Sequence, residues 1–467
     1  MSFTGLTFWV FLALVLAAYW MLPERQWKNI LLLGASYVFY GWVSAWLACL
    51  LGLSTLADYF LAQGMRVSPS RTRLLLIVSI LLNVGVLAFF KYYNFFGPDL
   101  ARLLDAFGIG NDFLLVRILF PLGLSFYTLK KLSYTIDVAR GTLQPTHSVV
   151  DFALYVSFFP QLIAGPIDRP QKLLPQIEAQ QSWKAEFFYN AWPLILMGLF
   201  KKVVIADSIK VMVDQVFSLD SMSLFLFSMG ALAFTLQILA DFSGYTDIAR
   251  GVALLFGFQT SENFNRPYLS LTPTDFWNRW HITLSTWLRD YIFFPIRRAL
   301  LRSRVRLPGW LLLSIPPIVT MFGSGLWHGA GWTFVVWGLY YGVLISLYQL
   351  LGIRGEWRPK SPAVWGLAWL TMFFLIVFGW GIFRAPSLAW LGNILFNMPF
   401  IAAQNEFIVG LITLSMAIVY SAPLLIKFVL DRLSTDSWLH SAYYAVASVL
   451  IVVFISSSSP DFIYFQF

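Results

Sequence analysis

The sequence predicts an all-α, polytopic integral membrane protein. Of its 467 residues, 58% are hydrophobic and only 12% are charged, and the mean hydropathy is +0.71. Soluble domains carry about 25% charged residues, so this chain cannot cover itself with polar surface. Apolar runs recur from end to end, and no long polar stretch interrupts them. We therefore expect one membrane domain over residues 1–467, with lipid as its solvent.

The uncharged runs are long enough for membrane helices, each of which needs about 20 mostly apolar residues. The long runs cover residues 1–23, 29–57, 221–240, 307–327, 329–353, 361–383, 407–426 and 441–460. Shorter or interrupted runs cover residues 74–90, 113–129, 152–167 and 187–200. Lipid cannot satisfy open backbone groups, and barrel strands would alternate polar and apolar residues, so these runs must be helices. The sequence predicts roughly 11–13 membrane-embedded helices, some of them too short to span.

The net charge of +9 is interpreted as a topology signal and not as a nucleic-acid-binding surface. Basic residues fall in what the sequence presents as short loops, which the positive-inside rule places in the cytoplasm. These residues are Arg66, Arg71 and Arg73, then Lys201 and Lys202, then the five arginines of residues 297–306. Membrane lipid is the expected partner of the apolar surface.

Cys49 is the only cysteine, and it lies inside an apolar run. A single cysteine excludes a disulfide framework and a cysteine metal site, and Cys49 is expected to be a packed small side chain. The chain also lacks the GxGxxG, Walker A, HExxH and GxSxG motifs. We expect no bound metal and no bound cofactor.

Functional residues are expected between residues 151 and 384. The N-terminal third is hydrophobic and aromatic and offers few ionisable residues for burial, whereas the apolar segments of 151–384 contain Asp, Arg, His, Asn and Gln. Ionisable groups at membrane depth are costly and usually face a cavity or a substrate path. In residues 158–170, Pro160, Gly165 and Pro166 interrupt an apolar stretch and predict a broken or re-entrant element.

His328 lies between two long apolar runs, in the segment Phe322-Gly-Ser-Gly-Leu-Trp-His-Gly-Ala-Gly-Trp-Thr-Phe-Val-Val-Trp-Gly338. The glycines allow close backbone approach, and Trp327 and Trp332 are expected to form bulky walls. A neutral imidazole in such a dry place can accept a proton from a hydroxyl group. The residue type alone favours a hydrogen-bonded histidine between packed helices, which is the alternative interpretation.

His281 lies in residues 275–290, a segment rich in tryptophan. On one helix, Asn278, His281, Ser285 and Arg289 would fall along a single polar face. The sequence therefore predicts an amphipathic helix with a functional stripe. An interfacial helix anchored by tryptophan and arginine is the alternative.

A third cluster follows the apolar run 221–240. Asp241, Asp247 and Arg250 could pair with one another and orient neighbouring groups. A structural ion pair that closes a helix end is the alternative interpretation.

Together these motifs resemble the membrane-bound O-acyltransferase family. The His328 segment resembles the family's signature histidine region, and residues 275–290 resemble its second signature region. Residues 241–250, 262–268, 158–170, 379–385 and 462–467 are similar to the bacterial branch, which includes the membrane subunit of alginate O-acetylation.

The resemblance implies a helical fold around a central funnel or tunnel, with catalytic residues at His328 and His281. It also implies an acyl thioester as substrate, with acetyl-CoA as the expected donor on the cytoplasmic side of a bacterial inner membrane. The acetyl group would leave towards the exterior. There a membrane-anchored acetyltransferase or esterase-like partner would pass it to an exported polysaccharide. Asn278, Ser285, Arg289, Trp327, Trp332, Asp241, Asp247 and Arg250 are the expected donor-path or supporting residues.

One segment departs from the alginate-type pattern and leaves the acceptor glycan open. After Asp290, those members continue with a Pro-Leu-Gly-Gly-Asn-Arg-like turn, whereas this chain has Tyr-Ile-Phe-Phe-Pro-Ile-Arg-Arg-Ala-Leu over residues 291–300. D-alanyl transfer to teichoic acid on the same fold is one alternative. A non-enzymatic transporter of lipid-linked sugars is another, but such a transporter would show internal repeats.

Overall fold

The computed structural model describes residues 1–42, 44–107, 118–304, 307–401, 403–432 and 438–455, together with Phe462. These residues form α-helices and connecting turns, with no β-strand among them. The first ten helices are α1 Leu6–Met21, α2 Arg25–Gly41, α3 Ala45–Val67, α4 Thr72–Ala106, α5 Leu124–Ala139, α6 Val149–Ser157, α7 Phe159–Leu162, α8 Pro170–Glu178, α9 Ala185–Leu199 and α10 Asp207–Phe217. The next ten are α11 Leu224–Leu255, α12 Pro273–Trp277, α13 Ile282–Leu288, α14 Phe294–Arg302, α15 Gly309–His328, α16 Trp332–Leu350, α17 Pro362–Arg384, α18 Leu388–Asn397, α19 Gln404–Leu430 and α20 Trp438–Phe454. Two short 3-10 turns, Pro69–Arg71 and Pro267–Leu269, and two π-helical segments, Phe200–Ala206 and Arg289–Phe293, complete the described elements.

The prediction of an all-α polytopic membrane protein is confirmed. Within the described residues, seven helices are long and apolar enough to cross a membrane. They are α3, α4 with the 3-10 turn before it, α11, α15, α16, α17 and α19. Three shorter apolar helices, α1, α18 and α20, have 10–17 residues. The predicted total of membrane-embedded segments included pieces too short to span, and helix length alone does not test it.

The prediction from apolar runs was wrong for the run 29–57. The uncharged run 29–57 contains parts of two helices, because α2 ends at Gly41 and α3 begins at Ala45. Because the turn between these helices has no charged residue, the apolar run continues through it and the composition does not reveal the turn. The expected break in residues 158–170 is confirmed, since α6 ends at Ser157, α7 has four residues, and α8 begins only at Pro170.

The chain divides into two compact units. One comprises Met1–Pro193 with Ala249–Ser261, and the other comprises Leu194–Ile248 with Glu262–Phe467. The expectation of a single domain over residues 1–467 stays a prediction.

The first unit contains buried charges that the sequence did not suggest. Asp58 on α3 is 0% exposed, and Lys131 on α5 is 2% exposed. The Asp58 Oδ2 and Lys131 Nζ atoms lie 3.5 Å apart, and Ser79 and Asn83 on α4 donate to the same carboxylate at 2.6 and 2.7 Å. The expectation of few buried ionisable groups in the N-terminal third was therefore wrong. Asp58 comes directly after an apolar run and Lys131 follows Lys130, and only the packing of neighbouring helices brings Asp58 and Lys131 together.

The second unit contains both signature histidines. Its helices α15 and α16 form an antiparallel pair, separated by the short segment Gly329-Ala-Gly331. Glycine has low helix propensity, and it ends α15 and opens α16 at this point. The turn leaves His328 as the last residue of α15.

Cys49 does not occupy the packed position expected of it. The side chain is exposed on α3, which is one of the candidate membrane spans. A small apolar residue is tolerated there because lipid would cover that surface.

Candidate active site

His328 lies in a box of aromatic side chains. Its side chain is 6% exposed, and its ring centroid lies 4.9 Å from that of Trp337 and 5.5 Å from that of Phe383. Both contacts are edge-on, with interplanar angles of 83° and 81°. The preceding residue, Trp327, adds a third edge-on ring at 5.0 Å. These rings exclude water from the imidazole.

Glycine residues make this box possible. A Cβ atom at Gly325 would lie 2.3 Å from the carbonyl oxygen of Phe334, and a Cβ atom at Gly338 would lie 2.3 Å from that of Met321. Neither position can accept a side chain unless the backbones of α15 and α16 separate. The close crossing brings Trp337, the neighbour of Gly338, against His328.

The residues expected as walls behave differently. Trp327 is 8% exposed and contacts His328, as expected. Trp332 is 61% exposed at the start of α16, and Trp337 provides the contact with the imidazole. The sequence reasoning missed Trp337 and Phe383, although both lie in motifs that it identified. Trp337 lies five positions after Trp332, so it falls on another face of α16, and the neighbouring Gly338 is the sequence signal that could have marked it.

His281 does not lie on a continuous helix, so the predicted amphipathic helix over 275–290 was wrong. The helix α12 ends at Trp277, α13 begins at Ile282, and His281 adopts a left-handed conformation with φ of 42°. Thr272 caps α12 by accepting a hydrogen bond from the Asp275 N–H, and Pro273 starts that helix. The short capped helix and the turn after it separate residues that one helix would have aligned.

The His281 side chain is 0% exposed. Its ring lies 4.6 Å from the ring of Phe242 on α11, at an angle of 77°. Burial lowers the pKa of His281 to about 3, so the imidazole is neutral near pH 7.

Trp327 connects the two histidines. Its indole lies 5.0 Å from the His328 ring and 6.1 Å from the His281 ring, measured between centroids. The structure thus brings His281 and His328 to one aromatic cluster, although 47 positions in the numbering separate them. Two imidazoles beside an indole can donate or accept hydrogen bonds and can exchange protons with a substrate.

The other members of the predicted stripe line a separate cavity of about 150 Å³. Asn278, Ser285 and Arg289 all contribute to its wall, whereas His281 does not. The remaining lining residues are Thr274, Trp277, Thr286, Leu288, Phe293, Pro317, Thr320, Met321, Ile345 and Gln349. A mostly apolar wall with a few polar groups is typical of a small-molecule site.

The acidic residues of α11 pair with lysines. Lys202 lies 2.8 Å from both Asp241 and Asp207, and Lys201 lies 2.6 Å from Asp247. Burial alone would lower the pKa of Lys202, but the two carboxylates outweigh it and raise that pKa. Arg250 lies one turn beyond Asp247 on the same helix.

The sequence analysis placed these lysines in a loop, but the structure places them in a helical segment. They belong to the π-helical segment Phe200–Ala206, which continues α9 into α10. Arg297, Arg298 and Arg302 are likewise helical, on α14. Arg306 lies outside the described residues, so the 297–306 loop is described only in part.

The second unit also explains two further motifs. In residues 379–385, Trp380 contacts Trp280 at 4.7 Å, and Phe383 contacts His328. Of the C-terminal motif 462–467 only Phe462 is described, and its ring packs 5.4 Å from Phe242. Within the described ranges, no group of three or more His, Cys, Asp or Glu could hold a metal ion.

Comparison with known proteins matches this site to a family. The family model of the membrane-bound O-acyltransferases (MBOAT) matches residues 139–379. The matched region is just over half of the chain and includes both histidines. The chain is 39% identical to the probable alginate O-acetylase AlgI of Pseudomonas aeruginosa over 389 residues, which cover 82% of this chain and 72% of that protein. It is 34% identical to the peptidoglycan O-acetyltransferase of Helicobacter pylori, over 76% of this chain and 70% of that protein. Identity to the teichoic acid D-alanyltransferase of Bacillus subtilis is 29%, over 56% and 68% of the two chains. The chain therefore belongs to the membrane-bound O-acyltransferase family and is an O-acyltransferase of the membrane.

Proposed function

We propose that the enzyme moves an acetyl group from a cytoplasmic thioester, acetyl-CoA, across the bacterial inner membrane for O-acetylation of an exported polysaccharide. The observation that carries the proposal is His328 at the end of α15, buried in a box of Trp327, Trp337 and Phe383. Similarity to an alginate O-acetylase and to a peptidoglycan O-acetyltransferase supports acetyl as the acyl group and a glycan as the final acceptor.

In this proposal His328 is the general base. Its neutral imidazole removes the proton of the acceptor hydroxyl as the hydroxyl oxygen attacks the thioester carbonyl. The new C–O bond forms, the C–S bond breaks, and the imidazolium returns its proton to the departing thiolate. Proton removal of this kind contributes roughly 10²–10⁴-fold to the rate. The aromatic walls keep water from hydrolysing the thioester.

His281 would position the thioester carbonyl. It is neutral, it is buried beside Trp327, and its ring nitrogens can donate or accept one hydrogen bond each. The cavity lined by Asn278, Ser285 and Arg289 would hold the thioester arm of the donor. Its polar groups suit the amides of such an arm, and its apolar wall suits the methylene units.

The ion pairs of α11 would support this arrangement. Asp241 is fixed by Lys202, and the next residue, Phe242, is the ring against which His281 packs. Nearly two turns further along α11, Asp247 pairs with Lys201, and Arg250 follows it on the same helix. Trp332, which is exposed at the start of α16, would lie at the rim of the site.

A membrane-anchored partner outside the inner membrane would accept the acetyl group and pass it to the polysaccharide. We expect this partner to be an acetyltransferase or an esterase-like protein. The acceptor glycan stays open, because residues 291–300 depart from the alginate-type turn. D-alanyl transfer has less support, because the relative of that activity is less similar and matches a smaller part of the chain.

Ester analysis of the exported glycan tests the proposal. We expect acetate esters in the wild-type strain, their loss on deletion of the gene, and their return on complementation. D-alanyl esters on the cell envelope, measured in the same cultures, provide the control. Unchanged acetate esters with loss of D-alanyl esters would overturn the proposal in favour of D-alanyl transfer.

A further inference from the structure

The turn that contains His281 is strained. Among the described residues, only two non-glycine residues have a positive φ, namely His281 at 42° and Arg266 at 48°. The left-handed region is unfavourable for a residue with a side chain, so the surrounding structure must hold it there. The two strained residues belong to two segments that hydrogen-bond to each other.

Residues 262–268 run beside the turn and bind it on both sides of His281. On one side, the Asn265 N–H donates to the carbonyl oxygen of Arg279 at 2.9 Å. On the other side, the Ile282 N–H donates to the carbonyl oxygen of Asn263 at 3.0 Å. His281 therefore lies in a backbone loop whose two ends are fixed to one segment.

The side chain of Asn263 completes this attachment. Its Oδ1 atom accepts from the N–H of Thr283 at 3.1 Å and from the hydroxyl of Thr283 at 2.8 Å. Asn263 is 1% exposed, so water cannot replace these bonds. Because Thr283 is in the first turn of α13, Asn263 fixes the start of the helix that His281 precedes.

The segment 262–268 also packs against aromatic rings of the site. Phe264 follows Asn263 and lies 5.0 Å from Phe242, the ring that contacts His281. Phe264 also lies 4.9 Å from Trp280, the residue before His281. Loss of the Asn263 bonds would let the turn relax and withdraw the imidazole from Phe242 and Trp327.

We propose that Asn263 is a positioning residue for acyl transfer, which holds His281 in its left-handed turn through the paired hydrogen bonds to Thr283. The inference rests on the proposed function of His281 and names the residue through which the fold controls it. Asn263 acts through His281 and need not touch the substrate. Misplacement of a reacting group by about 1 Å can cost 10²-fold in rate.

The test combines activity with a probe of the turn. In purified protein, Asn263→Ala is expected to lower the acetyl-transfer rate roughly 10- to 100-fold. Thr283→Val, which loses one of the two hydrogen bonds, should give a smaller loss, and Thr283→Ser, which keeps both, should retain the wild-type rate. Asn397→Ala, at an exposed asparagine on α18, is the matched control and should leave the rate unchanged.

A double-mutant comparison separates positioning from general damage. Asn263→Ala should cost little more when His281 is already replaced by Ala, because the group that it positions is gone. An equal fold-loss in the wild-type and His281→Ala backgrounds would overturn the inference. A wild-type rate for His281→Ala alone would instead refute the proposed function of His281.

Chemical modification gives a readout that does not depend on catalysis. Diethyl pyrocarbonate should modify His281 slowly in the wild type, where it is fully buried, and quickly in Asn263→Ala. The exposed His147 serves as the internal standard in the same mass spectrum. If His281 stays protected in a folded Asn263→Ala protein, Asn263 does not hold the turn.

Discussion

Replacement of Lys131 by Met should destabilise the protein strongly. The substitution removes the ammonium group 3.5 Å from Asp58 and leaves a carboxylate that is 0% exposed. Two neutral donors, Ser79 and Asn83, remain on that carboxylate. Because removal of one partner leaves an uncompensated buried charge, such a change costs about 3–5 kcal/mol.

The double variant Asp58→Leu with Lys131→Met should recover most of this loss. It removes both charges, and the groups left behind keep partners. The Ser79 hydroxyl still donates to the Thr135 hydroxyl at 3.0 Å, and the Asn83 amide still donates to the Ser79 carbonyl oxygen at 2.9 Å. Replacement of a whole buried pair by apolar side chains is often neutral, so we expect stability within about 1 kcal/mol of the wild type.

The assay is the free energy of unfolding in detergent, from a denaturant titration followed by tryptophan fluorescence. The reasoning is refuted if Lys131→Met unfolds within about 1 kcal/mol of the wild type, which is well below the cost of breaking a buried pair. It is also refuted if the double variant is as unstable as the single one. Either result would mean that the Asp58 carboxylate does not carry a charge that depends on Lys131.

Three further predictions concern topology, packing and pH. A cysteine introduced at Arg302, after replacement of Cys49, should resist an impermeant reagent from outside the cell, because the basic segment is expected in the cytoplasm; labelling from outside would reverse this topology. Gly338→Val should prevent the close crossing of α15 and α16 and lower the yield of folded protein, whereas Gly366→Val, with open space around its Cβ position, should fold normally; equal yields would contradict the packing argument. The pKa of His281 is about 3 in the folded protein and about 6.5 in an unfolded chain, so the unfolded state takes up a proton between these values. Wild-type stability should therefore fall, relative to His281→Asn, as pH decreases from about 6.5 towards 3, and parallel pH profiles of the two proteins in detergent would disprove the burial argument.

The fold class could be predicted because it depends on composition and run length, which are local properties. A turn without charged residues is invisible to reasoning from composition and run length, and the turn between α2 and α3 is of this kind. The buried pair of Asp58 and Lys131 was missed for a related reason. Asp58 and Lys131 lie more than 70 positions apart in the sequence, and only the packing of α3 against α5 joins them.

The parts of the candidate site that could be predicted are those whose residues are neighbours in the sequence. His328 is marked by its glycines and by Trp327, and the structure places it in a buried aromatic box. The conformation at His281 could not be predicted, because the residues that hydrogen-bond to its turn lie nearly 20 positions earlier in the sequence. The ion pairs of Asp241 and Asp247 were missed in the same way, since their lysine partners lie on another helix.

The central claim is that His328 is the general base of acyl transfer. The most direct measurement is the acetyl ester content of the exported glycan made by His328→Gln, with its membrane level matched to the wild type. Glutamine can hydrogen-bond in the aromatic box but cannot accept the proton, so we expect acetylation to fall by roughly 10²–10⁴-fold, as it should for His328→Ala. Substantial acetylation by His328→Gln would show that this residue orients the substrate and does not remove its proton.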